Sequence, residues 1–179
     1  MKAALTLTLA AAMVSHAFAD DKADILARYN DIGSALKAKS TSKFFEVLSK
    51  DCSWKDTAGR TSNRAQIEKE VTAQFGIPLK VNSYNVKINS FTKVANGYMV
   101  NSTITMTGVV TNPRVIQKKS SSNSPQKEKK IFSVNTSNDL WVKENGKWVI
   151  KTITGVSQDL RVDNSGLIPA QLSPIQKQP

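Results

Sequence analysis

The first half of the chain places apolar residues with the period of a helix. Residues 23–38 predict a long amphipathic helix, and residues 43–49 predict a short one. A third helix is expected to begin after Asn63, whose side chain can cap it, with Gln66 completing a capping box. The apolar stripe of the first helix consists of Ile25, Leu26, Tyr29, Ile32, Ala35 and Leu36.

The second half changes to the period-two alternation of strands. Residues 81–92 and 98–111 predict one hairpin, and residues 131–143 and 147–162 predict a second, each with an Asn-Gly turn. Ser102 is an exception on the otherwise apolar side of its strand. Because helices and strands are segregated along the chain, we expect an α+β domain with N-terminal helices packed on a curved antiparallel sheet.

The alternation within residues 131–143 leaves the facing of Trp141 open. One side of this strand is largely apolar, whereas Trp141 and Asp139 lie on the other side among polar residues. A bulge near Ser137 would turn Trp141 inward. Without a bulge, Trp141 would pack on the outer sheet face or at an oligomer interface. The apolar side consists of Phe132, Val134, Leu140 and Val142.

Residues 1–19 have the features of a secretory signal, with an apolar segment followed by a small-x-small site that ends at Ala19. Cleavage there would give an exported protein, periplasmic or secreted; an uncleaved anchor is the alternative. His16, the only histidine, would be removed, leaving Cys52 as the single cysteine. This composition excludes paired disulfides and histidine-based metal sites, and we expect no metal and no cofactor. Cys52 is expected to be buried.

Much of the formal net charge of +11 lies in one segment. Residues 112–130 lack apolar periodicity and predict a mobile basic loop within a domain over residues 20–163, and residues 164–179 predict a polar tail. The loop could dock on an anionic surface or simply favour solubility, and no nucleic-acid-binding motif accompanies it. Its cations are Arg114, Lys118, Lys119, Lys127, Lys129 and Lys130.

Two stretches resemble a known family. They are DCSWKDTAGR at residues 51–60 and DLWVKENGKWVI at residues 139–150. With the order of elements, they are similar to the nuclear transport factor 2-like superfamily, particularly its ketosteroid-isomerase-like and polyketide-cyclase-like (SnoaL-like) domains. The resemblance spans residues 24–162. It implies a cone in which a sheet wraps round a long helix, with a ligand-binding pocket at the open end.

The superfamily includes isomerases, dehydratases and cyclases, but also binding and assembly domains without chemistry. Many members that resemble this chain carry histidines on the last strand, where this chain has Lys151, Thr152 and Thr154. The leading expectation is therefore an exported, non-catalytic domain that binds a small apolar or amphipathic ligand or mediates assembly. The residues expected to line the pocket are Tyr29, Trp54, Asp56, Tyr84 and Tyr98.

Two alternatives remain open. One is a histidine-independent isomerase or cyclase in which Asp56 or Asp139 is the base and a tyrosine or protonated acid stabilises an enolate. The other is an adaptor that docks the basic loop on an anionic surface. The resemblance also implies a homodimer formed through the open sheet face.

Overall fold

The computed structural model describes the backbone of residues 4–110 and 129–162, and the side chains of these ranges from residue 20 onward. The predicted tail and the predicted loop cations from Arg114 to Lys127 lie outside the described residues. Lys129 and Lys130, expected in that loop, instead begin a strand. Within the described part of the chain, no helix has the length and apolar character needed to cross a membrane.

The described ranges contain three helices in the predicted order, α1 (Ala4–Ala38), α2 (Thr41–Phe45) and α3 (Arg64–Phe75). α1 begins well before residue 23, so one helix runs from the predicted signal segment into the domain. The prediction of a second helix as far as residue 49 is wrong. The Val47 carbonyl accepts a hydrogen bond from the Ile150 amide at 2.8 Å, and the chain continues from there as a strand.

The strands form one six-stranded sheet in the order β2-β1-β6-β5-β4-β3. All neighbours are antiparallel except β1 and β6, which pair in parallel. This arrangement confirms the α+β fold class with helices packed on a curved, mainly antiparallel sheet. The strands are β1 (Leu48–Lys55), β2 (Thr61–Ser62), β3 (Leu79–Val94), β4 (Gly97–Val110), β5 (Lys129–Glu144) and β6 (Lys147–Val162).

Local sequence signals set the ends of several elements. Asn63 and Gln66 form the predicted capping box at the start of α3, each side chain accepting a hydrogen bond from the other's backbone amide. In the β5–β6 turn, Asn145 and Gly146 both have positive φ, which suits a tight two-residue hairpin. In the β3–β4 hairpin, a side chain at Gly97 would collide with the Trp141 carbonyl oxygen.

Trp141 faces the interior and is fully buried. The register between β4 and β5 is unbroken, so no bulge in β5 is needed to turn it inward. The pairing of β5 with β6 does shift near Ser137, where the extra residue, Val156, is on β6. The polar side of β5 thus lines the interior, and its apolar side, including the exposed Phe132, lies on the outer face.

α1 packs across this inner face. Gly33 lies directly against the Tyr84 ring, and any larger side chain there would overlap the ring. The close approach brings Tyr29, one turn earlier on α1, onto β5, where its ring meets the Trp141 ring edge to face at 4.8 Å. α1 therefore places the Tyr29 hydroxyl beside the polar side of β5.

Candidate functional site

A buried polar cluster joins α1 to the centre of the sheet, and we name it the Asp139 cluster. Tyr29 Oη donates a hydrogen bond to Asp139 Oδ2 at 2.5 Å. Trp141 Nε1 donates to Tyr29 Oη at 3.0 Å. Ser137 Oγ and Ser102 Oγ also donate to Asp139 Oδ2, at 3.1 and 3.4 Å. One carboxylate oxygen therefore receives three hydroxyl donors.

Strand register brings these residues together. Val100 pairs with Asp139, and Ser102 pairs with Ser137, so both serines flank the carboxyl group on the inner face. Side chains two residues apart on a strand point to the same face, which adds Trp141 to the same row. Ser102 is a polar residue on an apolar strand face because its hydroxyl donates a hydrogen bond to Asp139 on β5.

Asp139 is almost completely buried, with 2% of its surface exposed. Burial raises the pKa of Asp139 to about 6, although the hydrogen bonds from Tyr29, Ser137 and Ser102 oppose the shift. The described partners that bond its carboxyl group are hydroxyls rather than cations. The carboxyl group can therefore change protonation state near neutral pH.

Tyr29 remains protonated through the same range. Burial and the negative charge of Asp139 both raise the pKa of its phenol far above the ordinary value. The phenol is consequently a permanent hydrogen-bond donor to Asp139. A tyrosine donor and a titratable acid, held 2.5 Å apart, form the chemically distinctive centre of the cluster.

Two buried polar atoms near this centre lack a hydrogen-bond partner within the described part of the protein. They are Asp139 Oδ1 and Tyr84 Oη. Burial, followed by the charge of Asp139, raises the pKa of Tyr84, so this phenol also stays protonated. Buried polar atoms are normally hydrogen-bonded, and Asp139 Oδ1 and Tyr84 Oη could each form a hydrogen bond with a ligand. Trp148 Nε1 is likewise buried without a described partner.

The inner face is less covered beyond the cluster. Ser137, Asn135 and Ile104 lie on the inward rows of β5 and β4, yet each keeps partial solvent exposure. Ser137 both contacts Asp139 and reaches this more open region. The residues beside the cluster on this part of the inner face are therefore only half-buried.

The predicted pocket residues fall into two groups. Tyr29 and Tyr84 lie at the Asp139 cluster. Tyr98 is also buried, but its hydroxyl donates to Asp21 at 2.9 Å and its ring stacks on Phe91. Trp54 is partly buried on β1, where it pairs with Ile153 on β6. Which of them line a ligand pocket stays a prediction.

Asp56 lies in the turn between β1 and β2 rather than among the partners of Asp139. Its carboxylate accepts hydrogen bonds from the Ala58 and Arg60 amides and from the Arg60 side chain. Partial burial would raise the pKa of Asp56, but the hydrogen bonds and charge of Arg60 outweigh it and lower this pKa. Such a paired, strongly acidic carboxyl is a poor proton acceptor.

Cys52 is buried, as expected from its sequence setting. Desolvation raises the pKa of its thiol to about 12, so the thiol is not ionised near neutral pH. Within the described residues, no group of histidine, cysteine, aspartate or glutamate side chains could hold a metal ion.

Comparison by sequence identifies no relative, since no family model and no curated protein matches the chain. Solved structures do match. A variant of Rv3472, a protein of unknown function from Mycobacterium tuberculosis, has a TM-score of 0.60 at 11% identity and covers 82% of this chain and 75% of its own. A protein from Novosphingobium aromaticivorans, provisionally named a scytalone dehydratase, also has a TM-score of 0.60, at 13% identity, with 88% and 95% covered.

A nuclear transport factor 2-like protein from Cytophaga hutchinsonii matches more weakly, with a TM-score of 0.48 at 10% identity over 74% of this chain and 94% of its own. The two matches with a TM-score of 0.60 establish a shared fold and, at such low identity, leave the activity open. The six-stranded sheet with α1 packed on its inner face agrees with the fold that the resemblance in the sequence implies. The chain has the fold of the nuclear transport factor 2-like superfamily.

Proposed function

We propose that the protein binds a small molecule between α1 and the inner face of the sheet, with Asp139 and Tyr84 as its polar contacts. The observation that carries the proposal is the pair of buried, unpartnered atoms, Asp139 Oδ1 and Tyr84 Oη. Leaving a buried polar atom unpaired costs about 1–3 kcal/mol. A ligand that bonds both atoms would recover this free energy.

The surroundings support a mainly apolar ligand with one or two polar groups. Ile104, Val86 and Ile153 contribute partly buried apolar surface to the interior. Sites of this type obtain affinity from apolar area and orientation from a few fixed polar groups. The ligand class is therefore the small apolar or amphipathic molecule expected from the resemblance.

The test compares two variants that each remove one phenolic oxygen. A panel of lipophilic keto and hydroxy compounds is screened by thermal shift against the parent protein, and every stabilising compound is repeated on Tyr84→Phe and Tyr98→Phe. We expect Tyr84→Phe to lose the shift, because its hydroxyl would contact the ligand. Tyr98→Phe is the matched control, since its hydroxyl is bonded to Asp21. Shifts that persist in Tyr84→Phe and disappear in Tyr98→Phe would contradict the proposal.

A second candidate, proton-transfer catalysis, is favoured by the buried carboxyl of Asp139 and its 2.5 Å contact with Tyr29. An acid that titrates near neutrality can accept and return a proton, and a phenol can stabilise a developing enolate. Asp139 rather than Asp56 would be the base, because Asp56 is paired with Arg60.

Catalysis is tested by following isomerisation of a β,γ-unsaturated ketone by absorbance. We expect activity to rise with pH through about 6, as Asp139 ionises, and to be lost in Asp139→Asn. Equal rates for Asp139→Asn and the parent would eliminate this candidate and leave ligand binding untouched.

Export is proposed from the same helix. After cleavage at Ala19, Asp20 and Asp21 would occupy the first turn of α1, where the helix dipole stabilises negative charge. Asp21 also accepts the Tyr98 hydrogen bond, so domain contacts begin just past the proposed cleavage point. N-terminal sequencing of protein recovered from the periplasm or medium should begin at Asp20. Recovery only as uncleaved chain would contradict export with cleavage.

A further inference from the structure

Lysines gather at the end of the molecule where α1 finishes and β3 begins. Lys37, Lys39 and Lys80 line an open depression of about 380 Å³ together with Ala38, Pro78 and Leu79. All three lysines are exposed, and the residues that line the depression include no acid. The sequence contains no aspartate or glutamate anywhere from residue 71 to residue 127.

The positive charge continues across the outer face of the sheet. Lys80 pairs with Val109 on β4, and Val109 pairs with Lys130 on β5. Neighbouring strands lie about 4.8 Å apart, which places Lys80 and Lys130 on one face about 10 Å from each other. Phe132, two residues beyond Lys130 on the same face, is 39% exposed. We name Lys37, Lys39, Lys80, Lys130 and Phe132 the basic end.

The backbone at Lys39 is an independent feature of the basic end. Lys39 has a φ of 51°, and it closes α1 with the hydrogen bonds Lys39 N–H to Leu36 O (3.3 Å) and Ser40 N–H to Ala35 O (2.9 Å). Glycine is the ordinary residue at this position, because a side chain strains the left-handed conformation. Strained residues are often retained for what their side chains do. Here the side chain adds a cation to the depression.

We propose that the basic end docks on the surface of an anionic phospholipid bilayer. Its lysines would contact lipid phosphates, and Phe132 would enter the headgroup layer. On the outer face Phe132 pairs with Thr107 of β4 and Arg161 of β6, and Val134 lies two residues along its own strand, so the exposed ring has a cation and small or aliphatic side chains beside it. Asp159, opposite Val134, is paired with Arg161 at 2.8 Å. This docking does not depend on the Asp139 cluster.

Co-sedimentation of the full chain with vesicles tests the proposal. Vesicles of equimolar phosphatidylglycerol and phosphatidylcholine are compared with phosphatidylcholine alone, because the apolar N-terminal segment does not distinguish headgroup charge. The test variant is Lys80→Ala/Lys130→Ala. The matched control is Lys50→Ala/Lys55→Ala, which removes two exposed lysines from β1 near the opposite edge of the sheet.

We expect the parent to bind phosphatidylglycerol vesicles more tightly than phosphatidylcholine vesicles, and less tightly as salt rises. Each lysine near an anionic bilayer contributes about fivefold, so the test variant should bind about 25-fold more weakly and the control like the parent. Equal binding of test variant and parent would overturn the proposal. So would tighter binding of the parent to duplex DNA than to the vesicles, or loss of a homodimer in Phe132→Ser with vesicle binding unchanged.

A second variant, Lys39→Gly, removes a cation and also removes the backbone strain of a side chain at a φ of 51°. We expect a melting temperature equal to or above that of the parent, with about fivefold weaker binding to phosphatidylglycerol vesicles. Because this variant should fold at least as well as the parent, weaker binding cannot be attributed to unfolding. Undiminished vesicle binding by Lys39→Gly would contradict the assignment of Lys39 to the docking surface.

Discussion

Asp139 should make the stability of the protein depend on pH in a direction opposite to that of most carboxylates. Its pKa is about 6 in the fold, against an ordinary value of 3.8, so the folded state holds a proton that the unfolded chain releases. The stability this gives is fully present below pH 3.8 and is lost as pH rises through about 6. A difference of about two pKa units corresponds to about 3 kcal/mol.

Asp139→Asn isolates this contribution, because asparagine has nearly the same shape and its side-chain oxygen can still accept from Tyr29. Urea unfolding of both proteins is measured from below pH 3.8 to above pH 7, and the free energies of unfolding are subtracted at each pH. The variant should gain about 3 kcal/mol on the parent across this range. Other titrating groups cancel in the subtraction. A difference that stays flat with pH would refute the claim that the buried carboxyl titrates near neutrality.

Three further changes test separate parts of the structure by urea unfolding. Tyr29→Phe removes a donor to Asp139 and the acceptor of Trp141, and should destabilise the fold by about 1–3 kcal/mol; a neutral result would contradict the hydrogen-bond network. Lys39→Gly should stabilise the fold by about 1 kcal/mol, since glycine adopts the φ of 51° without strain. A loss of stability would mean that the 3.2 Å hydrogen bond from Lys39 Nζ to the Ile77 carbonyl outweighs the backbone strain. Asn63→Ala removes the cap of α3 and should lower the free energy of unfolding by about 1 kcal/mol. An unchanged free energy of unfolding would show that the capping box does not stabilise the protein.

Elements set by local chemistry were predictable from the sequence. The Asn63 cap, the Asn145-Gly146 turn and the strand Lys147–Val162 all occur where local pattern places them. The end of α2 was not predictable in this way. The stretch from Val47 to Ser49 is buried and belongs with the sheet, so tertiary pairing outweighs the helical pattern of its apolar residues.

The interior of the sheet was harder to predict for a physical reason. β5 lines the interior with polar residues, and the alternation alone therefore left the facing of Trp141 open. Asp139 was a candidate from its residue type, but Ser102 and Ser137 became recognisable only once strand register placed them beside it. The one sequence signal was Ser102 itself, a polar residue on an apolar strand face. A cluster assembled from α1, β4 and β5 has no compact motif.

We propose that a small molecule bonds Asp139 and Tyr84 between α1 and the inner face of the sheet. The most direct test is a crystal structure of the protein with the compound that gives the largest thermal shift. A polar ligand atom should lie within about 3 Å of Asp139 Oδ1 or Tyr84 Oη, between α1 and the inner face. A compound bound on the outer face or in the lysine-lined depression, with both atoms still unpartnered, would contradict it.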